Sequence, residues 1–155
     1  MKTLRSKLHA ARQLKRDEWR LIGQAWILLL QVELRLQFQT FPRIQAWAQA
    51  GRRPPLHLQP LNPQTDQPNL AQVKSVHLAI QRAAALHLIP MTCLRRSLAL
   101  QRLLAKKGIA SQLRFGARKE AGEVKAHAWV EYQGQPLGEP LDLEARFIPL
   151  VTRPR

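Results

Sequence analysis

Apolar residues recur at helical spacing through the first two thirds of the chain and alternate with polar ones afterwards. From Asp17, the positions Trp19, Ile22, Trp26, Leu29, Leu30 and Leu34, with Glu33 in the same trace, follow one helix to about Leu36, although Gly23 weakens it. Phe41-Pro42 then breaks the run, and Arg43 to Ala50 gives a further short helix before Gly51. A third helix is predicted from about Leu70 to Leu88, with Val73, Val76, Ile80, Ala83, Ala84 and Leu88 as its apolar set. His77 and His87 lie on it or near its end, and packing accounts for both. Pro90 limits that helix. Leu94, Leu98, Leu100, Leu103, Leu104 and Ala105 then mark a fourth, which Gly108 ends, so Cys93 falls in its first turn.

After Gly108 the period changes to two. Ile109, Ser111, Leu113, Phe115 and Ala117 alternate with Ala110, Gln112, Arg114, Gly116 and Arg118, the pattern of a half-buried strand. A charged turn leads to a second strand, Glu123 to Tyr132, with Val124, Ala126, Ala128, Val130 and Tyr132 on one face and His127 and Trp129 on the other. Gln133-Gly134-Gln135 makes the next turn, and Pro136 to Leu143 is predicted to return as a third, antiparallel strand. Phe147, Ile148, Leu150 and Val151 are expected to cover one edge. A helix followed by an antiparallel sheet defines an α+β domain. Pro54, Pro55, Pro60, Pro63 and Pro68 make residues 52–69 an extended connector, which divides the chain into an N-terminal helical extension, residues 1–51, and a domain at residues 70–155.

Composition narrows the functions open to such a chain. Its 155 residues suit one domain plus an extension, and a single cysteine excludes an intrachain disulfide framework. No CxxC pair or zinc-spaced histidine cluster is present, which argues against a structural metal, and no cofactor motif is found. The formal net charge of +15 suits an acidic peptide, nucleic acid or an anionic membrane surface. The charge is scattered, however, and no RNP-like or glycine-rich signature accompanies it, so nucleic acid is not the expected partner. Leu21 to Leu36 is interrupted by Gln24, Gln31, Glu33 and Arg35 and falls short of the roughly 18 apolar residues of a spanning helix. No cleavable signal pattern follows it, and a cytoplasmic protein is expected, with membrane contact through this helix left open.

The candidate chemistry centres on Cys93. Unpaired N–H groups and the helix dipole favour an anion in a helix's first turn, which suits a thiolate nucleophile. A buried cysteine acting as a small hydrophobe is the competing reading. A cysteine nucleophile needs a base, and the base needs an acceptor that orients it. His127 follows on the second strand, then Glu139 and Asp142. A two-residue turn at Gln133-Gly134 places Asp142 diagonal to His127, whereas a three-residue loop places Glu139 there, so a one-residue slip exchanges the candidates.

Cys93-Leu-Arg-Arg-Ser-Leu-Ala-Leu, Leu103-Leu104, Lys107-Gly108-Ile109, His127-Ala-Trp-Val-Glu, Gly134 and Phe147-Ile-Pro-Leu resemble the transglutaminase-like leader peptidases of lasso-peptide biosynthesis. The resemblance spans roughly Leu70 to Leu150. It implies a transglutaminase-like (papain-like) core in which the helix carrying the cysteine packs on an antiparallel sheet. It further implies Cys93 as nucleophile, His127 as general base and Glu139 at the position of the family's usual aspartate, with Asp142 as the alternative acid. Trp129, on the face of His127, is a candidate for lining the substrate cleft.

The activity implied is hydrolysis of a ribosomally made precursor peptide, freeing the core peptide's amine for a ring-closing synthetase. Nothing before Leu70 resembles a fused recognition domain, so a separate leader-binding protein is the expected partner. Two other readings stand beside this one: acyl transfer by the same Cys-His pair, and a non-catalytic basic adaptor for an acidic peptide or nucleic acid.

Overall fold

A computed structural model of the protein describes residues 15–50, 70–140 and 143–150. Residues 1–14, the proline-rich connector, Asp142 and Val151 lie outside the described residues. In chain order the elements are α1 (Arg16–Phe38), α2 (Phe41–Gln49), α3 (Leu70–Ala85), α4 (Cys93–Lys106), β1 (Gln112–Glu120), β2 (Glu123–Tyr132), β3 (Gln135–Pro136), α5 (Leu143–Arg146) and β4 (Ile148–Pro149). The strands form an antiparallel sheet in the order β3-β2-β1-β4.

The helices bury their apolar stripes against one another and against the sheet. Leu29 and Val32 of α1, Ile44 and Ala48 of α2, Val76 and Ile80 of α3 and Leu98 and Leu104 of α4 share one hydrophobic core with Leu113 of β1 and Val130 of β2. Each of these Leu, Ile and Val side chains contributes about 1.5–3 kcal/mol by leaving water. The helices expected as an extension therefore supply part of the body on which the sheet rests. Among the described residues, no helix is long and apolar enough to cross a membrane.

Boundaries moved where turn chemistry overrode periodicity. Pro42 sits in the first turn of α2, where its missing N–H costs nothing, and so it starts the short helix. The third helix stops at Ala85 and not at Leu88: the Leu86 and His87 N–H groups close a final tight turn on Ala83 and Ala84, and the His87 ring stacks on Trp26 with centroids 5.0 Å apart. The first strand begins at Gln112, because the Ile109 N–H bonds back to the Leu104 carbonyl at 3.0 Å and so closes α4.

β2 runs from Glu123 to Tyr132 as the alternation predicts, with Gly116 of β1 opposite His127. Val130 and Tyr132 join the helical core, and His127 and Trp129 project to the other face. The hairpin beyond it closes Tyr132 on Gln135 through a two-residue turn, with Gln133 at φ 52° and Gly134 at φ 74°. The predicted return strand to Leu143, by contrast, ends after Pro136. Pro136 has no N–H to continue a ladder, and Gly138 at φ 73° turns the chain away. Leu143–Arg146 then forms a single helical turn, of which only Leu143 had been expected in the strand.

Candidate active site

Cys93 opens α4, where the Thr92 hydroxyl accepts the Arg95 N–H at 3.5 Å and the Thr92 carbonyl accepts that of Arg96 at 3.1 Å. The thiol is free and half-buried. Its own backbone N–H is among those a helix leaves without an intrahelical partner. Three side chains of the same turn anchor the cysteine to three different elements. Arg95 pairs with the buried Glu33 of α1, its Nη2 donating to Oε1 at 3.1 Å, while its Nη1 donates to the Pro90 carbonyl at 3.2 Å. Arg96 Nη1 donates to Gln81 Oε1 of α3 at 3.1 Å. Ser97 Oγ donates to the Ala128 carbonyl of β2 at 2.9 Å.

That last bond sets α4 beside His127, the residue before Ala128. His127 Nε2 lies 3.0 Å from Glu139 Oε1. An ionised carboxylate only accepts hydrogen bonds, so a neutral imidazole in this pair carries its proton on Nε2 and leaves a lone pair on Nδ1. The ring clusters with those of Trp129, at a centroid distance of 6.1 Å, and Phe147, at 5.4 Å. Trp129 is only 2% exposed, and its indole N–H donates to Glu131 at 3.0 Å, so it forms a wall of the site as well as part of the fold.

The acid reached His127 by a route that register reasoning does not describe. The two-residue turn would place Asp142 diagonal to His127 had the strand continued. Because β3 stops at Pro136, the segment that follows crosses toward β2 as a loop. Leu137 N–H bonds to the Val130 carbonyl at 2.9 Å, Gly138 turns, and Glu139 reaches the imidazole.

Cys93, Ser97, Trp129 and Glu139 line one small cavity of about 40 Å³, together with His77, Gln81 and Arg96. That volume admits a few water-sized groups. The structure thus places the thiol and the Glu139 carboxylate around one space, and ties that carboxylate to His127. Burial lowers the His77 pKa from its ordinary 6.5, with the neighbouring Arg96 charge adding to the effect and Glu139 opposing it.

Sequence reasoning did not assign Glu33, Gln81, Arg96 or His77 to this neighbourhood. Glu33 carried a signal, since an acid inside an apolar helical trace requires a partner. Gln81 and Arg96 carried none, because their pairing depends on how α3 and α4 cross.

The model of the transglutaminase-like superfamily matches residues 28–152, a span that includes Cys93, His127 and Glu139. The chain belongs to the transglutaminase-like superfamily. No curated protein and no solved structure matches it significantly. Transglutaminase-like proteins are generally cysteine peptidases and acyl transferases. The superfamily match begins inside α1, in keeping with the contribution of that helix to the common core.

Proposed function

We propose that Cys93, His127 and Glu139 act as nucleophile, general base and orienting acid of a cysteine peptidase. Its substrate would be a ribosomally made precursor peptide, whose leader it removes during lasso-peptide maturation. The observation that carries the reading is the 3.0 Å contact between His127 Nε2 and Glu139, on a strand bonded to the helix that Cys93 opens.

In this reading His127 Nδ1 takes the thiol proton, and the sulfur attacks the scissile carbonyl carbon. The Cys93 backbone N–H is an available donor to the oxyanion. Collapse of the adduct breaks the C–N bond, and His127 gives its proton to the leaving amine. Water, activated by the same imidazole, then cleaves the thioester and restores the thiol. Glu139 holds the ring and stabilises the imidazolium in both steps. A separate leader-binding protein would present the precursor, and a ring-closing synthetase would consume the new amine.

Mass spectrometry of a precursor peptide incubated with the protein and the leader-binding protein tests the proposal. The expected products are two peptides whose masses sum to the precursor plus one water, with no cleavage by Cys93→Ala. Cleavage by that variant at the wild-type rate would falsify the reading. A product carrying an added amine in place of water would assign the same residues to acyl transfer.

A further inference from the structure

His77 lies on α3, outside the proposed triad, yet its ring is packed against the loop that delivers the acid. A Cβ placed on Gly138 would overlap the His77 imidazole, so the residue before Glu139 has to be glycine for the ring to occupy this place. The two sides of the cavity meet here, since His77 and Glu139 both line it.

The hydrogen bonds around His77 define its proton. Arg96 can only donate, so its 3.1 Å bond identifies the Gln81 atom it meets as the amide oxygen. The Gln81 amide nitrogen then faces His77 Nε2 at 3.1 Å and donates to it. A neutral imidazole that accepts at Nε2 carries its hydrogen on Nδ1. Among the described residues that Nδ1 is buried and has no hydrogen-bond partner. A buried donor without an acceptor is unfavourable.

We propose that His77 is a positioning residue for Glu139: its ring packs against Gly138 in the loop that delivers the carboxylate, and its unpartnered Nδ1–H is a donor available to that carboxylate, with Gln81 and Arg96 fixing the tautomer. This rests on the triad reading above and extends it. Glutamate has one more rotatable bond than aspartate, and holding its carboxylate at one imidazole costs side-chain entropy. A second imidazole packed against the residue before Glu139 restricts that motion before substrate arrives. Among the described residues, the charged groups acting on His77 are Glu139, which favours its protonated form, and Arg96, which opposes it, and the titratable Cys93 thiol lines the same cavity.

Cys93 is the only cysteine of the chain, so alkylation by iodoacetamide reports on it alone and requires no peptide substrate. Rates between pH 5 and pH 9 would be compared for the full chain and for His77→Asn, His77→Gln, Gly138→Ala, Glu139→Gln and His127→Ala, with thermal melts establishing that each variant is folded. We expect His77→Asn to slow alkylation near pH 6 by roughly fivefold and to move the acid limb of the profile to higher pH, within the range of coupled neighbours. Gly138→Ala should act in the same direction, and His77→Gln, which keeps an amide donor, should recover part of the rate. In a Glu139→Gln background His77→Asn should have no further effect. Wild-type alkylation in folded His77→Asn, or effects of the two substitutions that simply multiply, overturns the role of His77 while leaving the triad intact. A profile indifferent to His127→Ala overturns the triad itself, and the inference with it.

Discussion

Ser97 Oγ donates a buried 2.9 Å hydrogen bond to the carbonyl of Ala128, joining the turn of α4 that follows the thiol to the residue that follows the histidine. This contact lies on the shortest bonded route between the two elements that carry the proposed chemistry. Replacing Ser97 by alanine leaves the Ala128 carbonyl without its donor and should cost about 1–3 kcal/mol of stability. Urea unfolding should register this as a lower midpoint with an unchanged slope. Cysteine reactivity should fall as well under conditions where the variant remains folded.

Glu33 anchors the same turn from α1. Its carboxylate is nearly buried and pairs with Arg95, whose side chain remains 25% exposed. Glu33→Ala would leave the Arg95 guanidinium only partly solvated and without its counter-charge, and we expect a loss of about 2 kcal/mol, reduced from that of a fully buried pair by the exposure of Arg95. Restoration by a second substitution, Arg95→Met, would identify the uncompensated charge as the cause. Equal stability of Glu33→Ala and wild type in urea would show that the pair contributes little.

Substitutions at Glu139 should separate charge from reach. Glu139→Gln retains an oxygen that can accept the His127 Nε2–H but removes the charge that stabilises an imidazolium. Glu139→Asp keeps the charge and shortens the side chain, so the 3.0 Å contact is lost unless the loop shifts. Both should reduce turnover, and Glu139→Ala should reduce it furthest, by on the order of 10²-fold. Comparison of kcat with KM on a precursor peptide checks the ranking, since loss of an orienting acid should appear mainly in kcat.

The pH dependence of stability should carry the mark of His77. Burial lowers its folded pKa from the ordinary 6.5, so the unfolded chain binds its proton at a higher pH than the folded protein does. Stability from this group is therefore fully present above the unfolded value and is lost as pH falls through 6.5 toward the folded one. His77→Asn should flatten that part of the profile. Denaturant midpoints at pH 7.5, 6.5 and 5.5 test this, and identical slopes in the two proteins would exclude His77 as the source.

The start of α4 at Cys93, both ends of β2 and the tight turn after it were legible because local signals agree there: a proline before a helix, alternation over ten positions, and a glycine suited to positive φ. The identity of the acid was not legible in the same way. Choosing it from turn length assumed that the hairpin continued, and Pro136 together with Gly138 ends the hairpin almost at once. The helical stripes of α1 and α2 were also readable, but a stripe does not say what will cover it. Only the fold shows that Leu29 and Ile44 pack into the same core as Leu98. Likewise, nothing in the spacing of Gln81 and Arg96 announces their bond, which exists because two helices meet.

The half-buried Cys93 thiol has a further consequence, in redox chemistry. With no second cysteine in these 155 residues, a sulfenic acid formed on its sulfur has no resolving thiol in its own chain. Peroxide exposure therefore leads either to a mixed disulfide with an external thiol, which a reductant reverses, or onward to the irreversible sulfinic acid. The local supply of small thiols would decide how long a nucleophile at this position survives oxidative stress.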